Sequence, residues 1–264
     1  MEEHQFVFIG GLHRSGTTLL FQCLREHPQI SGFRDTGVEE DEGQHLQTVY
    51  PTALTHGGAG KFGFNSETFL DESSQLASSE NAQKLFQQWS QYWDLHKSIL
   101  LEKSPPNLVR CRFLQKLFPN SKFIIVLRHP VAVSYATKKW SQTQMGSLIQ
   151  HWLVCHDRFE ADRPFLNQVL VLKYEDLIDN SSIILEEVYR FIGVEVIPAT
   201  QAIRSGVNDR YFAWWNRRNN LIRSVYHQYL IRRFESRVNR FGYSLIDLEW
   251  RNTAQLRSPL TEKG

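Results

Sequence analysis

The segment FVFIGGLHRSGTTLL, residues 6–20, constrains the fold more than any other part of the chain. Four apolar residues lead into a loop with glycines, and a helical pattern starts directly after the loop. Gly11 and Gly16 have the spacing of the two glycines of a phosphate-binding P-loop, and Thr18 occupies the position of its hydroxyl residue. A strand, such a loop and a helix N-terminus together surround an anion with backbone N–H groups. The segment therefore predicts a phosphate-binding turn after the first strand.

The loop lacks the lysine of P-loops that bind nucleoside triphosphates. Thr17 stands at that position, and the strong cation of the loop is Arg14. No clear acidic ligand for magnesium follows a later strand, although phosphoryl transfer from Mg-ATP needs one. The sequence therefore disfavours ATP hydrolysis and predicts no bound metal.

Strand and helix patterns alternate along the chain. Continuous apolar runs predict strands at 6–9, near 98–101, at 122–127 and at 169–173. Helical patterns cover 17–26, 106–119, 181–194 and 221–241. Continuous rather than alternating apolar runs are typical of strands covered on both faces. We predict an α/β fold with a central parallel β-sheet flanked by helices, formed as a single domain over residues 1–264.

Composition limits the partners and the compartment. The 264 residues are 41% hydrophobic with a formal net charge of +2, which favours neither a nucleic acid nor a membrane as partner. Three cysteines without metal-ligand spacing fit a reducing compartment. Without a signal-peptide pattern or a long apolar run, we expect a soluble, cytoplasmic protein. The polar residues 31–80 are expected to form an excursion beside the site.

Four motifs in order resemble a known family. GGLHRSGTTLL resembles the 5′-phosphosulfate loop of sulfotransferases that use PAPS (3′-phosphoadenosine 5′-phosphosulfate). It is most similar to the protein-tyrosine and stand-alone bacterial enzymes. LEKSPPN, residues 101–107, is similar to a segment of the heparan-type enzymes. FIIVLRHPVAVSY (123–135) and LVLKYEDLI (170–178) resemble the family's segments for the 3′-phosphate and near the adenine.

The resemblance implies the donor site residue by residue. PAPS would be the donor and PAP (adenosine 3′,5′-bisphosphate) the product, without a metal. The 5′-phosphosulfate would lie against the loop residues Arg14, Ser15, Gly16, Thr17 and Thr18. Lys103, with Arg14, would stabilise the leaving group, because cations near the developing charge lower the barrier.

Further positions would hold the rest of the nucleotide. Arg128 would bind the 3′-phosphate together with Ser134, although these residues are closer in sequence than in most of the family. Tyr174 would lie near the adenine. Arg204 and Gly206 are loosely similar to a loop that closes over the 3′-phosphate; alternatively, this arginine- and aromatic-rich stretch is core and surface.

The catalytic base is expected in the acidic run EEDE, residues 39–42, after the first helix. Alignment with heparan-type and tyrosine-type enzymes places the base nearest Glu42, with Glu40 and His45 as alternatives. The same run favours a small, cationic natural product as the acceptor, sulfated on a hydroxyl or an amine. A protein tyrosine or a saccharide is the alternative acceptor. A kinase with a degenerate P-loop and a non-catalytic binding module are the alternative functions.

Overall fold

The computed structural model describes residues 3–198, 206–217 and 220–252. Its centre is a sheet of five parallel strands in the order β2-β3-β1-β4-β5. The strands are β1 (Gln5–Gly11), β2 (Ile30–Gly32), β3 (Ile99–Lys103), β4 (Ser121–Leu127) and β5 (Val169–Lys173). The four predicted strands are present. β2 was not predicted, because three residues are too few to form a recognisable apolar pattern.

Nine helices surround or extend this sheet in the described part of the chain. They are α1 (Thr17–Leu24), α2 (Ser79–Trp89), α3 (Cys111–Leu117), α4 (Pro130–Ser141), α5 (Met145–Asp162), α6 (Tyr174–Asp179), α7 (Ser181–Ile192), α8 (Asp209–Asn216) and α9 (Leu221–Asn239). The prediction of an α/β fold with a parallel sheet and flanking helices is confirmed. α3 begins later than predicted, because Pro105–Val109 form a tighter 3-10 turn. None of the described helices is long and apolar enough to cross a membrane.

The core explains why β1 is central. Val7, Phe8 and Ile9 are fully buried, and β1 pairs with β3 on one side and β4 on the other. Aromatic rings fill the layer beside it; for example, the rings of Phe6 and Phe118 lie 4.5 Å apart. A strand covered on both faces must be apolar throughout, which is the pattern found in the sequence.

The parallel topology brings the candidate residues to one edge. The loop Leu12–Gly16 follows β1, Lys103 is the last residue of β3, Arg128 follows β4, and Tyr174 follows β5. Ligands of open parallel α/β sheets bind outside the carboxyl ends of the strands. Four motifs spread over more than 160 residues of sequence therefore meet at the same edge.

Candidate active site

The loop after β1 has the backbone of an anion cradle. Arg14 has a φ of 69° and Gly16 a φ of 102°, both in the left-handed region. A Cβ at residue 16 would lie 2.3 Å from the ring of Tyr174, so the loop requires glycine there on two grounds. The Ser15 hydroxyl is buried without a hydrogen-bond partner in the described chain. A buried, unpartnered hydroxyl in this loop fits a ligand oxygen that would complete it.

A cavity of about 370 Å³ opens beside this loop. Arg14, Thr17 and Thr18 line it from the loop and α1, and Glu40, Glu42 and His45 line it from the excursion. The guanidinium of Arg14 lies 4.5 Å from the ring centroid of Trp140, an exposed residue that also lines the cavity. The excursion therefore lies beside the loop after β1, as the sequence predicted.

A buried ion pair joins Lys103 to Glu42, which lines the cavity. The Lys103 ammonium, fully buried, donates to the Glu42 carboxylate at 3.1 Å and to the Glu40 carbonyl oxygen at 2.9 Å. The other oxygen of Glu42 accepts from the Gln44 side chain at 2.5 Å and lies 3.9 Å from a ring nitrogen of His45. The structure thus brings the predicted base and the predicted leaving-group cation into direct contact.

Glu102 holds the loop that carries Glu42. Its carboxylate accepts from the Gly43 backbone N–H at 3.0 Å, from the Ser104 hydroxyl at 2.5 Å and from the Asn107 amide at 2.5 Å. Asn107 also donates to the Ile9 carbonyl oxygen, so the network joins β1 to the excursion. Burial raises the pKa of Glu102 to about 7. The sequence analysis missed this role, although the segment EKSPPN contains the side chains of Glu102, Ser104 and Asn107.

The carboxylates of the acidic run lie in different surroundings. Asp41 accepts hydrogen bonds from Arg25 and Thr36, and these bonds keep its pKa below the ordinary value despite partial burial. Glu39 and Glu40 line the cavity and are exposed. Only part of the run therefore contributes negative charge to the site.

The side chain of Arg128 contacts the loop after β1, and its hydrogen-bond acceptors are neutral groups. It donates to the side-chain oxygen of Asn208 from Nε at 2.9 Å and from Nη2 at 2.6 Å. A further bond runs from Nη1 to the Arg14 carbonyl oxygen at 2.8 Å and supports the left-handed backbone there. The guanidinium lies 4.1 Å from the Tyr174 ring centroid. Burial lowers the pKa of Arg128 from its ordinary value, and its charge has no carboxylate partner among the hydrogen bonds described.

The structure does not join Ser134 to Arg128 by a hydrogen bond. The Ser134 hydroxyl is buried without a partner in the described chain and borders a small void of about 10 Å³ with His13 and His151. Two residues that hold the same phosphate need not bond to each other, so the role of Ser134 at the 3′-phosphate stays a prediction. Arg204 lies outside the described residues, and Gly206, with a φ of 72°, begins the segment that carries Asn208.

His13 is a site residue that the sequence reasoning missed. It lines the cavity from within the loop, and burial, reinforced by the charge of Lys103, lowers its pKa to about 4. Its Nδ1 is buried and has no described hydrogen-bond partner. A neutral imidazole with a free nitrogen can donate or accept one hydrogen bond. Its position in the loop, between Leu12 and Arg14, is the feature of the sequence that could have identified it.

Comparison with known proteins identifies the family. Residues 6–198 match the sequence pattern of the Sulfotransferase family. The sulfotransferase domain of the Synechococcus PCC 7002 olefin synthase is 17% identical, with a TM-score of 0.54 over 85% of this chain and 93% of that one. The sulfotransferase domain of the curacin biosynthetic pathway is 16% identical, with a TM-score of 0.51 over 87% and 97%.

A sulfotransferase of Mycobacterium tuberculosis H37Rv is 13% identical, with a TM-score of 0.54 over 88% of this chain and 77% of that one. At these identities, the structural likeness establishes the shared fold. The sequence match covers most of the chain and includes the loop, the EKSPPN segment and Arg128. The chain therefore belongs to the sulfotransferase family.

Proposed function

We propose that the protein transfers a sulfuryl group from PAPS to a hydroxyl or amine of a small acceptor. The observation that carries the proposal is the buried Glu42–Lys103 pair at the cavity that Arg14 also lines. In the proposed transfer the carboxylate would act as the base, the ammonium would stabilise the leaving group and the loop would hold the donor as an anion cradle. The transfer resembles phosphoryl transfer, in which catalysis rests on positioning and on electrostatic stabilisation.

The residues present fit the donor. The unpartnered hydroxyl of Ser15 and the guanidinium of Arg14 are available to an anion, and the backbone N–H groups of residues 16–18 lie at the N-terminal end of α1, where an anion is stabilised. Arg128 would hold the 3′-phosphate, and Tyr174 would contact the nucleoside. When bound, PAPS supplies a sulfuryl group whose leaving group is a stable bisphosphate.

Glu42 would accept the proton of the acceptor. Each of its oxygens has two lone pairs, so the bonds from Lys103 and Gln44 leave room for an acceptor N–H or O–H. Lys103, with Arg14, would stabilise negative charge on the leaving oxygen. Glu40 and His45 remain the alternative bases: Glu40 lines the cavity, and His45 lies within ion-pair reach of Glu42.

The acceptor is proposed to be a small cationic natural product. Glu39 and Glu40 place carboxylates at the cavity without cationic partners in the described chain, and they would attract an amine or a guanidinium. Two of the structural relatives are domains of an olefin synthase and of the curacin biosynthetic pathway, which supports a biosynthetic acceptor. Lys61 also lines the cavity, and its positive charge would disfavour a cationic group placed beside it.

Two measurements test the proposal. Calorimetry with PAP in EDTA should show binding, whereas Mg-ATP should bind much more weakly; preferential Mg-ATP binding would support a kinase instead. Transfer from ³⁵S-labelled PAPS should then be measured with amine, guanidine, neutral phenol, saccharide and acidic tyrosine-peptide acceptors. Turnover confined to neutral or anionic acceptors would refute the cationic class. PAP binding without turnover, unchanged in Glu42→Ala, would indicate a binding module.

A further inference from the structure

We propose that Asn208 determines selectivity for a nucleotide with a 3′-phosphate by holding Arg128 without neutralising it. Asn208 is a positioning residue in this proposal, because it acts through Arg128. The inference rests on the proposed function, in which Arg128 binds the 3′-phosphate of the donor.

The Asn208 amide lies between a buried cation and a buried anion. Its oxygen accepts two hydrogen bonds from Arg128, and its NH₂ group donates to Glu175 at 2.8 Å. Glu175 also accepts from the His129 backbone N–H at 3.0 Å and from the Tyr243 hydroxyl at 2.8 Å. Asn208 therefore acts as a neutral spacer that satisfies both charged groups at once.

The spacer prevents a direct ion pair. A guanidinium beside a buried carboxylate commonly forms a bidentate salt bridge. In this structure the acceptors bonded to Arg128 are the Asn208 amide oxygen and the Arg14 carbonyl oxygen, and both are neutral. Glu175 still acts on Arg128 at longer range, but no carboxylate occupies its hydrogen-bonding positions in the described chain, so they remain available to an anionic ligand.

The guanidinium also keeps free donors. It has five N–H groups, and three of them are used: Nε–H, one on Nη1 and one on Nη2. One N–H on each terminal nitrogen remains for phosphate oxygens. Because Arg128 is almost completely buried, a competing charge beside it would be poorly screened by solvent.

The test measures selectivity rather than binding alone. Calorimetry compares PAP with adenosine 5′-monophosphate, which lacks the 3′-phosphate, for the full-length wild type and its variants. We expect the wild type to prefer PAP by about tenfold or more, which is the effect of a charge-assisted hydrogen bond. Asn208→Asp should abolish most of this preference while leaving affinity for the monophosphate nearly unchanged.

Two further variants control for structural effects. Asn216→Asp makes the same chemical change at the exposed end of α8 and should keep the wild-type preference. Asn208→Asp also places a carboxylate beside Glu175, which could prevent folding. Asn208→Ala avoids that repulsion, and we expect it to reduce the preference about threefold or more, since Arg128 is then free to pair with Glu175.

The outcomes separate this inference from the proposed function. A wild type that does not prefer PAP would contradict the proposed role of Arg128 itself. A wild type that prefers PAP, with folded Asn208 variants that prefer it equally, would overturn only the inference about Asn208. An equal loss of affinity for both nucleotides in these variants would also overturn it, because that result indicates a structural role.

Discussion

Replacement of Glu42 by Gln is expected to separate the stability of the site from its chemistry. The substitution removes a carboxylate and leaves the buried Lys103 ammonium without its anionic partner. Breaking a buried ion pair from one side costs about 3–5 kcal/mol. Lys103 keeps its bond to the Glu40 carbonyl oxygen, so we expect the lower end, about 3 kcal/mol. For a chain of this size the midpoint of thermal unfolding should fall by about 6–12 °C.

A double-mutant cycle tests whether this cost comes from the unpaired charge. Lys103→Met should also destabilise the protein, because it leaves the Glu42 carboxylate without its cation. The double variant Glu42→Gln/Lys103→Met contains neither charge, and it should be about 2 kcal/mol more stable than the sum of the single effects predicts. Urea unfolding of the four proteins gives this coupling free energy.

Activity should not recover in the double variant. Loss of a general base reduces turnover by about 10²–10⁴-fold, and the Lys103 substitution would also remove the proposed stabilisation of the leaving group. The assay is transfer from ³⁵S-labelled PAPS to the best acceptor of the panel, with Glu40→Gln as the matched control. Near-normal turnover by Glu42→Gln, together with a large loss in Glu40→Gln, would refute the assignment of the base. Purely additive stability effects would refute the argument about the ion pair.

Three further results follow from the structure. The pKa of Glu102 is raised from 4.5 to about 7, so the folded protein binds a proton there more tightly than the unfolded chain does. Its contribution to the free energy of unfolding is complete below pH 4.5 and is lost as the pH rises through 7, a loss of about 3 kcal/mol. Urea unfolding at pH 4.5 and pH 8 should show this loss in the wild type but not in Glu102→Gln. Gly16→Ala should weaken PAP binding about tenfold or more in calorimetry, whereas Gly37→Ala, with a φ of 83° but open space around its Cβ, should bind normally. Trp140→Ala should weaken PAP binding by about threefold, since the ring contact that orients Arg14 is worth about 0.5–1 kcal/mol at an exposed site; unchanged affinity would show that Arg14 needs no such support.

The sequence predicted the sheet because its strands carry their own signal. β1, β3, β4 and β5 are continuous apolar runs, and each ends in a motif with recognisable chemistry. β2 lacks that signal: its three residues pair with β3 only because the chain beyond α1 returns to the sheet edge. Such pairing is a property of tertiary structure, which a local pattern does not contain.

The sequence predicted the location of the cations at this edge of the sheet, whereas their roles remain predictions. Lys103 and Arg128 are strong cations at strand ends, and Arg14 lies in the loop directly after β1, so their positions follow from the strands. Glu102 and Asn208 are different, because each acts by satisfying several partners that are distant in sequence. A carboxylate in EKSPPN or an asparagine before α8 has no such meaning until the fold brings its partners together.

The two buried cations Lys103 and Arg128 are held in different ways, and under the proposed function this contrast suits them to different ligands. Lys103 is paired with a carboxylate, so that its charge is balanced until the acceptor's proton or the leaving group disturbs the pair. Arg128 hydrogen-bonds to an amide and a carbonyl group and has no direct ion pair in the described chain, so its charge is only partly offset by the more distant Glu175. A buried cation without a direct anionic partner attracts an anion from the start, whereas a paired one responds only when charge moves. Arg128 is therefore suited to binding the donor, and the Glu42–Lys103 pair is suited to the transfer itself.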